Sequence, residues 1–369
     1  MTGTVVYIGR FNLPDGSASA QRIKVNKKIF EQIGYKVKII STFEDYNYFD
    51  ENSLNINNLN PLIERFSAKY IINYIKNIED LKVIILYNFH SITSLKLLRY
   101  ARKNDIKVIG DITEWYGLSK SESVAKSFYK LLDTGFRMNY INRKLDGLFV
   151  ISNHLFDYYM NKTKVLLLPN LVDKEDSKWG LLSENKALQN GIYNFTYVGN
   201  PGSSFEKEDL ITLVEAFDEI NNSEIKLKII GLEREEYIRI YKRKKGANPS
   251  MKNTDFFGKV SHEKALSEIY HSNFFVFIRP NTRANTAGFP TKFMEANYLN
   301  TPVITNDIGD ISEYINNFTN GYLIYDNNTS TKEELKKIIQ MSPQIKCNIH
   351  HPFLAEHHTE KINLFLKGL

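Results

Sequence analysis

The sequence predicts an α/β protein built as two doubly wound domains. Three observations predict it. The chain has 369 residues, more than one ordinary domain needs. Short, almost continuously apolar runs alternate with amphipathic stretches of helical period. The alternation runs through both halves of the chain, and continuous apolar strands separated by helices imply parallel sheets covered on both faces.

In the first half, Val5–Ile8, Lys36–Ser41, Val83–Tyr87, Lys107–Gly110, Gly147–Ile151 and Val165–Leu168 read as strands. Ala20–Ile33, Ile63–Ile78 and Ser94–Lys103 read as the helices between them. The stretch from Asp173 to Asn190 is polar and charged, with Ser and Gly, and reads as a linker with a loop. In the second half the predicted strands are Asn194–Val198, Lys226–Ile230, Phe274–Phe277, Pro302–Thr305 and Gly321–Ile324, and the predicted helices are Asp209–Ile220, Ser261–Tyr270, Pro290–Leu299 and Thr331–Gln340. The expected organisation is a first domain over 1–175, a second over 176–345 and a final segment over 346–369. Ligands of such sheets bind beyond the carboxyl ends of the strands, so both domains are expected to present strand ends to one cleft.

An apolar share of 42% suffices for two cores. The single cysteine, Cys347, excludes a disulfide framework and a multi-cysteine zinc site, and with no signal-like leader it points to the reducing cytosol. No apolar run is long enough to span a bilayer. The net charge of +6 suits anionic partners such as nucleotide phosphates or a lipid surface, and equally suits plain solubility. Nucleic-acid motifs are missing, and the dense basic run Lys242-Arg243-Lys244-Lys245 reads as a solvated helix end. A Walker loop and GxGxxG are absent, which removes the main support for a kinase or a dehydrogenase. There is also no HExxH, so no metal site is expected. His350-His351 and His357-His358 are at most adventitious ligands.

The most informative segment is Phe274 to Asp310. A strand gives way to a polar, flexible loop at Asn281–Thr286, then to the turn Gly288-Phe289-Pro290 at a helix start. Backbone N–H groups at such a start hold phosphate, and glycine permits close approach of a ligand. Lys292 puts a cation in the first turn, where the macrodipole disfavours it unless an anion compensates. Glu295 offers a carboxylate suited to a ribose diol. An ordinary strand–loop–helix with a solvated glutamate explains these residues as well.

The string AGFPTKFMEANYLNTPVITNDIGD, followed by Asn320-Gly321-Tyr322, resembles the donor-site signature of the family 4 glycosyltransferases. The resemblance spans nearly the whole chain and is strong in the second half. It implies a GT-B fold of two Rossmann-like domains, a nucleotide-sugar donor, and transfer with retention to a hydroxyl of a glycan or lipid-linked acceptor in surface-glycan assembly. By this resemblance Glu295 holds the ribose, Gly288 and Phe289 face the donor sugar and diphosphate, and Asn306 to Gly309 wall the pocket. Ala287 departs from the pattern, standing where the family has its first glutamate, a contact to the donor sugar; Arg283 and Asn285 are the candidates to replace it.

A second cradle, Tyr197-Val198-Gly199-Asn200-Pro201-Gly202 with Lys207, has the generic form of a phosphate loop. Lys207 resembles the family's diphosphate-neutralising lysine. Asn200 falls near the family's arginine, leaving Arg279 and Lys292 as candidate sources of that charge. Gly16 and Ser17, in the run from Gly9 to Ser19, resemble an acceptor-side loop that approaches the donor phosphates, and also fit a plain strand–helix connection. Asp111 and Glu114 follow a predicted strand near the point where many relatives carry a histidine; either orients an acceptor hydroxyl or caps the next helix. The GT-B reading expects no cofactor and no metal, in keeping with the absence of Asp-x-Asp. It also has the last segment, Phe353 to Leu369, crossing back to the first domain.

Val124–Lys144 combines Phe128, Leu131, Leu132, Phe136 and Met138 with Lys126, Lys130, Arg137, Arg143 and Lys144. It reads as a basic amphipathic hairpin touching anionic lipid at the inner face of a membrane, or as a helix packed on its own domain. Two rival functions stand beside transfer: a sugar-nucleotide epimerase or hydrolase of the same fold, and a non-catalytic nucleotide- or glycan-binding protein, which Ala287 favours.

Overall fold

A computed structural model describes residues 3–13, 17–42, 53–55, 68–115, 124–183, 192–220, 222–325, 330–341 and 351–369. The chain divides into two compact units. One comprises Met1–Asp173, Ala287–Phe289 and Phe353–Leu369; the other comprises Lys174–Thr286 and Pro290–Pro352.

The first unit carries β1 (Gly3–Gly9), α1 (Ala18–Gln32), β2 (Tyr35–Ser41), β3 (Ser53–Asn55), α2 (Ala68–Ile75), β4 (Leu81–Tyr87), α3 (Ser91–Lys103), β5 (Lys107–Ile112), α4 (Val124–Phe136), β6 (Gly147–Val150), α5 (Asn153–Tyr159) and β7 (Val165–Leu167). Its strands form a seven-stranded sheet in the order β3-β2-β1-β4-β5-β6-β7. The described ladders are parallel, with Val5 opposite Val37 on one side and Val83 on the other. The chain moves outward from β1 to β3 and returns at β4, which puts the switch of direction between β1 and β4.

Tyr7, Phe11, Phe30, Ile85, Ile109 and Phe149 fill this core. The apolar strand runs exist because such a sheet is buried on both faces. An ion pair lies inside it: Arg22 Nη2 of α1 meets Asp111 Oδ1 of β5 at 2.8 Å, both side chains almost wholly buried. Arg22 also donates to the carbonyls of Leu168 and Pro169 at 3.0 and 2.9 Å.

The second unit carries β8 (Tyr193–Val198), α6 (Leu210–Glu219), β9 (Ile225–Ile230), α7 (Arg234–Lys245), β10 (Thr254–Phe256), α8 (His262–Tyr270), β11 (Phe274–Val276), α9 (Arg283–Ala287), α10 (Thr291–Tyr298), β12 (Val303–Asn306), β13 (Gly321–Ile324) and α11 (Thr331–Met341). Ala287, the last residue of α9, groups by packing with the first unit. Six strands run in the order β10-β9-β8-β11-β12-β13, again with parallel ladders. Here the direction switches between β8 and β11. A final helix, α12 (Thr359–Lys367), puts Ile362 and Leu366 into the first unit's core.

Three details differ from the sequence expectations. Of the two readings of Val124–Lys144, the hairpin fails and the helix holds: α4 is continuous and runs on into a π turn at Arg137–Ile141 and a 3-10 turn at Asn142–Lys144. No turn-forming pair interrupts it, and Asn142 is drawn into hydrogen bonding with Tyr159. The expected flexible loop at Asn281–Thr286 contains α9, because side chains tie it down. The edge strands β3 and β10, of three residues each, and the helix α5 are not among the expected elements. The expected basic helix end, Lys242 to Lys245, is the last turn of α7, where cations complement the macrodipole. Part of the helix expected at Ile63–Ile78, the Gly16 position and Cys347 lie outside the described residues.

Candidate functional site

The switch in the second unit brings together the carboxyl ends of β8 and β11, where ligands of open α/β sheets gather. After β8 the chain turns at Gly199, whose N–H donates to Ile230 O at 3.0 Å. Gly231 then sits so close that a Cβ there would lie 2.3 Å from Gly199 O, and its φ of +102° is a left-handed value that L side chains resist. Asn200 turns its Oδ1 back to accept from Gly202 N–H at 3.0 Å, so this side chain closes its own turn. Lys207 is exposed, while its backbone N–H donates to Pro201 O at 3.0 Å.

Beneath this loop lies a polar knot. Tyr197 O–H donates to Glu208 Oε2 at 3.1 Å, and Arg279 Nε lies 3.9 Å from Glu208 Oε1. Burial pushes the Glu208 carboxyl up, and Arg279 opposes it. Arg279 is held from several sides. Its N–H donates to Asn306 Oδ1, Asn306 Nδ2 donates back to its carbonyl, and its Nη2 donates to Asn285 Oδ1. Asn285 in turn donates to Lys207 O at 3.2 Å and Pro280 O at 2.9 Å. Asn285 and Arg279 therefore tie the loop after β11 to the loop after β8. Arg283, by contrast, is exposed.

Asn306, Asp307 and Ile308, part of the expected Asn306–Gly309 wall, line a cavity of about 330 Å3 at the carboxyl ends of β11 to β13, together with Arg279, Asn281 and Tyr325. Glu295 and Lys207 are not among the residues lining it.

The helix α10 follows Pro290, which occupies its N-cap position and has no side chain to cap with. One turn in, Glu295 is 2% exposed. Its Oε2 lies 2.6 Å from Lys292 Nζ, and its Oε1 lies 3.0 Å from Nε2 of His262, the first residue of α8. Burial alone would raise this carboxyl, but Lys292 and His262 outweigh it and hold it down at about 2. The cation that looked misplaced in the first turn of α10 is thus partnered inside the protein. What results is a buried carboxylate, ionised at neutral pH, in a fixed orientation beside a helix start. Such a group accepts hydroxyl hydrogen bonds strongly.

Among the other expected residues, Ala287, Gly288 and Phe289 group with the first unit. Ser152 Oγ there donates to Ala287 O at 2.8 Å, and the Phe289 ring packs on Phe353 at 5.6 Å. Ser17 caps α1, accepting from Ala20 N–H at 3.2 Å. Asp111 is fully buried, chelated by Arg22 and accepting from Tyr7 O–H, whereas Glu114 three residues on is exposed. The structure thus gathers Lys292 and Glu295 in one cluster and Arg279 and the Lys207 backbone in another. It gives Asp111 and Ser17 structural partners of their own. The sequence pattern marks neither Glu208 nor His262. His262 lies 33 positions from Glu295, and a lone histidine at a helix start carries no local signal.

Residues 189–347 match the family described as Glycosyl transferases group 1, a stretch that covers the β8-to-α11 unit and with it Glu295, Lys292 and His262. A search of the curated proteins finds no match by sequence. Solved structures resemble the chain along its whole length. The apo lipopolysaccharide outer core galactosyltransferase WaaB shares 14% identity at a TM-score of 0.63, with 99% of each chain covered. Anabaena HepE, solved with UDP-glucose, shares 10% identity at 0.64, with 100% of each covered. The UDP-GlcNAc 2-epimerase of Methanocaldococcus jannaschii shares 16% identity at 0.58, again with 100% of each covered. The fold is therefore GT-B, two Rossmann-like units in one chain.

Proposed function

We propose that this protein is a glycosyltransferase that moves a sugar from a nucleoside-diphosphate donor to a hydroxyl of a glycan or lipid-linked acceptor, with retention at the anomeric carbon and in the assembly of a surface glycan. The observation that carries the reading is the buried Glu295 carboxylate, ionised and fixed by Lys292 and His262 inside the stretch that matches the group 1 transferases. In this reading Glu295 accepts the two ribose hydroxyls. Lys207, exposed above the Gly199 turn, meets the diphosphate as negative charge develops on the leaving group. Lys292 is committed to Glu295 and Arg279 to Glu208 and Asn285, so neither replaces the family's arginine as a mobile counter-charge. Asp111 serves the core, and Glu114 is left as the carboxylate that orients an acceptor hydroxyl. Side chains and backbone dipoles, with no metal, stabilise the departing diphosphate. HepE was solved with UDP-glucose, which supports a UDP-sugar as the first donor to try.

The resemblance to a 2-epimerase keeps one rival in view. Incubation with UDP-sugars, with and without a crude glycan acceptor, separates the two. Transfer predicts release of nucleoside diphosphate that rises at least about tenfold on adding acceptor. Conversion of donor to an epimer at the same rate without acceptor contradicts transfer and selects the epimerase.

A further inference from the structure

The helix α4 buries one face and leaves the other bare. Ser127, Thr134, Arg137, Met138 and Ile141 point inward, and Asp133 anchors the helix by accepting from Ser91 N–H and Oγ at 2.9 and 2.7 Å. On the opposite side, Phe128 and Tyr129 are 59% exposed, Leu132 56%, Phe136 40% and Tyr140 45%. Positions 128, 132 and 136 follow the four-residue spacing that makes one stripe on a helix. The π turn carries the stripe onward, with the Phe136 and Tyr140 rings stacked at 5.1 Å and 10°.

Cations gather at the end of this stripe. Lys144 Nζ lies 4.7 Å from the Tyr140 ring centre. Arg143 donates to Tyr158 O–H at 2.8 Å, and Lys162 sits 3.5 Å over the Tyr158 ring; all three basic side chains are exposed.

We propose that this face docks on an anionic lipid surface. Water is a poor neighbour for so many large apolar side chains in one row, and contiguous exposed apolar surface of this kind marks an interaction site. The occupant follows from chemistry and size. Aromatic and leucine side chains beside Arg and Lys form the composition of an interfacial helix, with rings at headgroup level and cations toward anionic phosphates. At roughly 200 Å2 for a large side chain, and about half of each exposed, the row offers roughly 500 Å2. A stable protein interface needs about 800 Å2 from each partner. A second copy of this chain is therefore the poorer fit.

The test is flotation of the full chain with phosphatidylcholine vesicles, with and without phosphatidylglycerol. It compares the wild type with Phe128→Ser/Leu132→Ser and with Arg143→Gln/Lys144→Gln, each checked for an unchanged Tm. The docking face predicts binding to the anionic vesicles that falls about tenfold or more in each double variant and in the absence of phosphatidylglycerol. Failure of the wild type to bind, or equal binding by the variants, overturns it. So does self-association that Phe128→Ser/Leu132→Ser abolishes in protein that ignores vesicles, because the face is then an interface between copies. Nucleotide binding is not read in this experiment, so its outcome is independent of the donor site.

Discussion

Glu295 shows how a side chain acquires its chemistry from its surroundings. A carboxylate 2% exposed is costly unless paired, and here Lys292 and His262 both approach it. Its folded value, about 2, lies below the ordinary 4.5, so the pairing stabilises the fold fully above about pH 4.5 and is lost as pH falls toward 2. Lys292→Met removes the strongest charge partner and should move the midpoint of acid unfolding to higher pH, measured by circular dichroism. An unmoved midpoint would mean that His262 suffices. Gly231 makes a backbone point at the same scale. Its Cβ would meet Gly199 O at 2.3 Å at a φ of +102°. Gly231→Ala should therefore cost about 2 kcal/mol or more and lower Tm by several degrees in a thermal scan.

At the scale of elements, α10 was legible because its signals are local. Gly288, Pro290, Glu295 and Ala296 stand within nine residues, and a turn followed by a helix needs no distant information. α9 was not legible, because polar Asn281–Thr286 becomes a helix only when Asn285 binds Arg279, Pro280 O and Lys207 O. The role of Asp111 was hidden for the same reason: its partner Arg22 lies 89 positions away on α1. Helix periodicity also failed to mark the π turn after α4, since sequence gives no sign of where a turn widens. The Arg22–Asp111 pair leads to a prediction for α1 and β5. Asp111→Asn should destabilise the protein by about 3–5 kcal/mol, as loss of one partner leaves a buried charge uncompensated, whereas Arg22→Met/Asp111→Leu should cost less. Urea denaturation of both variants measures the difference; equal losses would show that the hydrogen bonds to Leu168 and Pro169, and not the charges, hold the helix.

Across the whole molecule, chain order and packing part company at the C-terminus. The longer strands of both sheets were readable from alternating apolar runs, but the order in which they pair was not, nor were the short edge strands β3 and β10, as three residues carry too little pattern. Phe353, Ile362 and Leu366 are buried in the first unit, although they follow the last strand of the second. Removing residues 353–369 should therefore expose the first unit's core and leave the second unit's core intact. Limited proteolysis followed by mass spectrometry should show rapid cuts within 1–173 and a protected fragment from the 192–341 region. Uniform digestion would contradict the division into units.

If Glu295 anchors a nucleotide site, nucleotide affinity depends on its carboxylate. Isothermal titration of the wild type and of Glu295→Gln with UDP, GDP, CDP and ADP tests it most directly. One nucleotide is expected to bind the wild type and to lose about tenfold or more in affinity to the variant, whose fold is verified by circular dichroism at a temperature below its lowered Tm, as removal of a charged hydrogen-bonding partner costs about 1.5–3 kcal/mol. Folded wild-type protein that binds none of the four, or a variant that binds as tightly as the wild type, would contradict it.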